Sequence, residues 1–162
     1  MLRSSAACYS GSVSTYVHKN HNVSMLMYHF VCTAKYRRAV LTEPVDTLLR
    51  QLCLEIEKRY EIRFLEIGTD KDHVHFLIQS VPTLPPQRIV QTIKSITAKE
   101  IFKQLPEVKQ KLWGGEFWTK GYYVTTVALY GSENAVREYI KSQGKTKEYH
   151  ELLRGEPTLF DH

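Results

Sequence analysis

Cysteine is scarce in this chain: Cys8, Cys32 and Cys53 are the three among 162 residues. They are odd in number, far apart and without a C-x-x-C pair, which argues against a disulfide framework or a cysteine zinc site and suits reduced thiols in the cytoplasm. No apolar run approaches the ~18 residues a membrane span needs, so no membrane partner is expected. Arg3 is followed by no apolar segment, so no secretory leader is expected either. Internal repeats and low-complexity tracts are missing as well. Charge is only mildly one-sided, with 22 Lys and Arg against 17 Asp and Glu, a net +5. That excess is compatible with a polyanionic partner without requiring one.

What is present is a folded domain. A hydrophobic content of 43% and an aromatic content of 11% suffice for a core at this length. Residues 1–22 are Ser-rich and aperiodic and read as a flexible N-terminal arm, ordered at its end if anywhere. Met25 to Cys32 is strand-like and ends in the basic stretch Lys35-Tyr36-Arg37-Arg38. Pro44 stands where a helix would begin, and Val45, Leu48, Leu49, Leu52 and Ile56 follow at helical spacing to about Tyr60. Ile62 to Ile67 reads as a strand, Gly68 to Asp72 as a turn, and His73 to Gln79 as the returning strand. Pro82, Pro85 and Pro86 punctuate a loop and open a second helix with Ile89, Ile93 and Ile96 as its stripe, and Pro106 closes it. Tyr122 to Leu129 is strand-like; Gly131 breaks the chain, and Ser132 caps a helix running to about Gln143. Residues 148–162 read as a loose tail.

The order β-α-β-β-α-β plus one helix predicts an α+β, ferredoxin-like domain over residues 23–147: a four-stranded antiparallel sheet with helices on one face. In the run from His73 to Gln79, alternation puts Val74, Phe76 and Ile78 on the helix-covered side and both histidines on the open side. Alone, such a pair is more often idle surface. Tyr139 and Gln143 share a face of the last helix, where a tyrosine alone is usually a packed aromatic and a glutamine a solvated residue. If that helix packs over that strand, His73, His75 and the Gln143 amide oxygen can hold a metal beside the Tyr139 phenol. A phenol is a poor nucleophile near neutrality unless a nearby cation stabilises the phenolate or the phosphoryl group. Lys35, Arg37 and Arg38 beside Tyr36, then Lys94, Lys99 and Lys120, are the candidate DNA contacts, as cations for phosphate and an aromatic for unpaired bases. His18, His21, His29 and His150 lack paired geometry and read as structural or surface residues.

These motifs together resemble the single-tyrosine HUH transposases, small enzymes of bacterial and archaeal insertion sequences that move as single-stranded DNA. The likeness covers roughly residues 23–147. Tyr28-His29-Phe30-Val31 with Lys35-Tyr36-Arg37-Arg38 is similar to the family's first strand and its basic end. Asp72-His73-Val74-His75 resembles its HUH motif. Trp113 to Trp118 and Gly121 to Val124 resemble the entry to its last strand, and Arg137 to Gln143 its tyrosine helix. The resemblance implies that Tyr139 attacks a DNA phosphate to leave a 5′-phosphotyrosine and a free 3′-hydroxyl. It implies that His73, His75 and Gln143 bind Mg²⁺ or Mn²⁺; ligand softness alone would place zinc, copper, iron or nickel first. It further implies recognition of imperfect hairpins at element ends by a homodimer whose active sites are shared between subunits, with Gly131 where the helix could swing. Other readings stay open: a monomeric relative that processes palindromes, a non-catalytic nucleic-acid-binding module on the same fold, or a hydrolase using the histidines and water with Tyr139 dispensable.

Overall fold

The computed structural model describes residues 17–127 and 132–141, and within the second segment nothing is said of the side chains of Ser132, Glu133, Val136 and Tyr139. Its first element is a small antiparallel hairpin, β1 (Val17–Lys19) with β2 (Asn22–Ser24). The end of the stretch expected as an arm is thus ordered. There follow β3 (Leu26–Thr33), α1 (Glu43–Arg59), β4 (Ile62–Thr69), β5 (His73–Ser80), α2 (Pro86–Gln104), α3 (Pro106–Lys111), β6 (Tyr123–Thr126) and α4 (Ser132–Lys141). The main sheet has the order β4-β5-β3-β6 with every neighbour antiparallel. That is the connectivity the β-α-β-β-α-β order calls for.

The core forms because the two periods agree. Alternation on β3 and β5 sends Phe30, Cys32, Val74, Phe76 and Ile78 to one face. Helical spacing on α1 sends Val45, Leu49, Leu52 and Ile56 to the same layer, and α2 adds Ile89, Ile93 and Ile101. Glu43 and Asp46 in the first turn of α1, and Lys58 and Arg59 in its last, complement the helix dipole. Phe117 and Trp118 are buried in this core, where the Trp118 indole N–H donates to the Thr97 hydroxyl at 3.0 Å.

Several boundaries differ from the expected ones. β4 runs on to Thr69, because Gly68 and Thr69 pair with His75 and Val74; only residues 70–72 make the turn, closed by Asp70 N–H donating to the His73 carbonyl at 2.9 Å. β6 is four residues long, and the expected continuation to Leu129 falls outside the described residues, as do Gly131 and the tail. A short α3, started by Pro106, follows α2 where an end alone was expected.

The opposite face of the sheet is covered in part. Met27, Leu77 and Val127 form a second, smaller apolar cluster with Ile140 of α4, and Leu65 packs against it. Through Ile140 and its neighbours α4 lies over β4 and β5 of its own chain.

Candidate active site

The face that α4 partly covers is also the face of the histidines. On β5, His73, His75, Leu77 and Gln79 alternate with the core residues, and β3 contributes His29 and Val31 to the same side. His75 pairs with Val31 across the ladder, which puts His29 diagonally beside it. His29 Nε2 and His75 Nδ1 are 2.9 Å apart, and their rings stack at 5.1 Å. The His73 ring meets that of His75 edge-on at 5.0 Å. Tyr123 of β6 lies edge-on to His29 at 6.3 Å.

His29, expected to be a structural or surface residue, is therefore a full member of this group, at 1% exposure against 3% for His75. The signal that could have found it is its phase: His29 shares with Met27 and Val31 the face opposite Phe30 and Cys32. Which strand pairs with which, and in what register, is a tertiary property and was not readable from one strand.

Burial keeps two of these imidazoles uncharged. Burial pulls His29 down to about 4, and burial followed by the neighbouring His29 and His73 pulls His75 down to about 3. Both are neutral at pH 7, and in their contact one ring donates its N–H while the other accepts, so the lone pair left for a cation is that of the donor ring. His73 Nδ1–H donates to the Asp72 carboxylate at 2.7 Å, which leaves Nε2 as its donor atom. Burial alone would raise the Asp72 carboxyl, but hydrogen bonds from His73 and Arg37 outweigh it and hold the group below its ordinary value. The Arg37 guanidinium reaches Asp72 at 2.9 Å. A carboxylate–histidine pair beside a buried neutral imidazole suits a divalent ion. Among the described residues no three His, Cys, Asp or Glu side chains converge as a complete metal site, so a further donor has to come from elsewhere. Gln143 lies outside the described residues. Tyr139 belongs to α4, one residue before the buried Ile140.

The basic stretch is held at the same end of the sheet. Ala34 N–H donates to the Asp72 carbonyl at 2.8 Å and Lys35 N–H to the Phe117 carbonyl at 2.8 Å. Tyr36 and Arg37 then take left-handed conformations, φ 58° and 51°, each costing roughly 1–2 kcal/mol for a side chain-bearing residue. Lys35 pairs with Glu116, and Arg38 is exposed.

The three remaining candidate cations sit apart from the histidines, along α2 and the loop before β6. Lys99 and Lys120 are exposed. Lys94 is engaged: its ammonium donates to the carbonyls of Thr119 at 2.9 Å and Gly121 at 2.6 Å and lies 5.6 Å from the Tyr122 ring centre. Desolvation lowers its pKa. We expect Lys94→Ala to lower unfolding stability by about 1–3 kcal/mol, since these carbonyls lose a charged donor; urea unfolding followed by circular dichroism reads this directly.

The sheet carries its paired histidines on the face that the helix with Tyr139 partly covers, and comparison with known proteins shows what the chain is similar to. The family model described as "Transposase IS200 like" matches residues 22–143. The chain is 32% identical to the ISDra2 transposase TnpA of Deinococcus radiodurans over 124 residues, covering 75% of this chain and 86% of that one. It is also 32% identical to the transposase for insertion sequence element IS200 of Salmonella typhimurium over 121 residues, 72% of this chain and 75% of that one. A crystal structure from Deinococcus radiodurans R1, of a chain assigned to the transposases, superposes with a TM-score of 0.64 at 28% identity, covering 78% of this chain and 97% of the other. The protein belongs to the IS200-like transposase family. Among the described residues no helix is long and apolar enough to cross a membrane.

Proposed function

We propose that this protein cleaves and rejoins single-stranded DNA at the ends of an insertion sequence, with Tyr139 as nucleophile. The observation that carries the reading is the placement of α4, with Tyr139, over the strand that holds His73 and His75. The Tyr139 hydroxyl oxygen attacks a backbone phosphate; the bond from phosphorus to the 3′ oxygen breaks as the phosphotyrosine bond forms, and the 3′ oxygen takes up a proton. Attack by a 3′-hydroxyl on the phosphotyrosine reverses the step, so strand joining needs no outside energy source. His73, His75 and Gln143 would hold Mg²⁺ or Mn²⁺, which supplies Lewis-acid polarisation of a phosphoryl oxygen. Asp72 fixes the tautomer and orientation of His73, and His29 does the same for His75. The substrates are imperfect hairpins at the element ends, and the working form is a homodimer.

The test is a denaturation-resistant protein–DNA adduct, formed with end-labelled single-stranded hairpin DNA from the element ends plus Mg²⁺ or Mn²⁺. Binding of that DNA with no adduct under any metal would leave a recognition module instead. Whether subunits share sites is read by mixing Tyr139→Phe with His73→Ala protein. If sites are shared, one site of each mixed dimer has an intact tyrosine and intact histidines, and adduct formation returns. If each chain completes its own site, the mixture stays inactive.

A further inference from the structure

The exposed aromatic pair at the basic turn is built in a way that packing does not require. Tyr36 and Trp113 stack at 5.5 Å with their planes 12° apart, yet they are 51% and 69% exposed. The Tyr36 ring is presented by backbone that departs from ordinary conformations, while glycines shape the turn after Trp113. Tyr36 and Arg37 are left-handed, and Trp113 is followed by Gly114 and Gly115 at φ 102° and 74°. Strain on a chain persists where the surroundings enforce it, and it concentrates at binding sites. A buried pair would repay it through apolar area; this pair stays largely in water.

Cations lie near the stack, two of them paired, Lys35 with Glu116 and Arg37 with Asp72. The Lys35 ammonium lies 5.3 Å from the Tyr36 ring centre. Arg37 and Arg38 follow in the chain, exposed, and Lys109 and Lys111 occupy the exposed last turn of α3 just before Trp113. With one face of Trp113 covered by Tyr36, its other face is a flat, exposed aromatic surface, with the exposed Lys109 and Lys111 shortly before it in the chain. A single-stranded polyanion with aromatic bases matches both features.

We infer that the outer face of Trp113, backed by Tyr36, is a stacking site for one unpaired base of the DNA strand being processed. The inference rests on the DNA-processing reading and adds to it where the strand is gripped. The turn also joins this grip to the histidines. Tyr36 carries the stack, while the next residue, Arg37, holds Asp72, which in turn holds His73. A base seated on Trp113 is thereby positioned at a set distance from the His73 side of the site. Tyr36 lies in the basic stretch and Trp113 in the segment leading to β6; only the fold shows that they meet.

The experiment measures binding of the full chain to a 20-mer of thymidylate and to a 20-mer of abasic deoxyribose phosphate, by fluorescence anisotropy at fixed salt. The polymers share charge and differ in bases. Wild type is expected to prefer the thymidylate strand by about tenfold. Trp113→Ala should bring that preference close to one while leaving binding to the abasic strand unchanged, and Trp113→Phe should keep most of it. Arg38→Ala should weaken both strands equally. Circular dichroism establishes that each variant is folded, which the exposure of Trp113 favours. A Trp113→Ala protein that retains the full preference overturns the stacking site and leaves the DNA-processing reading standing. Wild type that binds both polymers equally, or neither, also overturns the stacking site, while adduct formation with hairpin DNA tests the DNA-processing reading separately.

Discussion

Tyr139→Phe protein should form no covalent adduct with hairpin DNA, a loss on the order of a thousandfold or more in strand cleavage, while its affinity for the same DNA stays within about twofold of wild type. The change removes one oxygen and keeps the ring. α4 is seated on the sheet by Ile140, fully buried among Met27, Leu77 and Val127, so the helix keeps its place without the hydroxyl. The result separates the readings that fit the two histidines. A hydrolase using water would cleave as before with phenylalanine at this position. A tyrosine transesterase has lost its nucleophile, and no other group can form the ester. His73→Ala should also abolish the adduct by a different route: it removes a proposed metal donor and leaves Asp72 and Arg37 to pair with each other alone. Restoring cleavage in His73→Ala with high metal, and failing to restore it in Tyr139→Phe, would separate the two roles. Full cleavage by Tyr139→Phe would overturn the mechanism.

Protein freed of divalent metal should lose stability steeply as pH falls below 6.5, and the loss should be traceable to His29 and His75. In the folded chain burial pulls these groups down to about 4 and about 3. Unfolded, both return to an ordinary value near 6.5. Between these limits the unfolded chain binds more protons, so stability rises with pH across the window and falls as pH drops through it. It is fully present above pH 6.5, and the His29 share is exhausted near pH 4. Together the pair should cost several kcal/mol over that range, because charging either imidazole in the contact at 2.9 Å means desolvating a cation beside its neighbour. Urea midpoints from pH 7.5 to 4 measure the slope, with His29→Gln as the control expected to flatten it. A slope equal in wild type and His29→Gln would show that the pair is not its source.

Much of this was legible before any coordinates. The helix-facing residues of α1 and α2 declare themselves by spacing, and Val74, Phe76 and Ile78 by alternation, because burial on one side imposes a period that a single sequence displays. His73 and His75 share a face for the same reason, and the strand phase alone places that face away from α1 and α2. Boundaries were less legible. The turn after β4 was expected from Gly68, yet the ladder runs through Gly68 and Thr69, since cross-strand pairing with β5 outweighs the local turn preference of glycine. Lys94 illustrates a different limit. Nothing in a helix sequence tells a solvated lysine from one whose ammonium serves the carbonyls of a distant loop.

From the chain alone follow the α+β order of elements, the face on which each residue of a strand or helix lies, and the family to which the motifs are similar. Each of these depends on residues a few positions apart, where the geometry of helix and strand is the same in every protein. Three relations come from the fold: the contact of His29 with His75, the chain from Arg37 through Asp72 to His73, and the stack of Tyr36 on Trp113. All but one of their contacts join segments far apart in sequence, brought together by strand order and register. Those depend on how the whole core packs, so no local pattern encodes them.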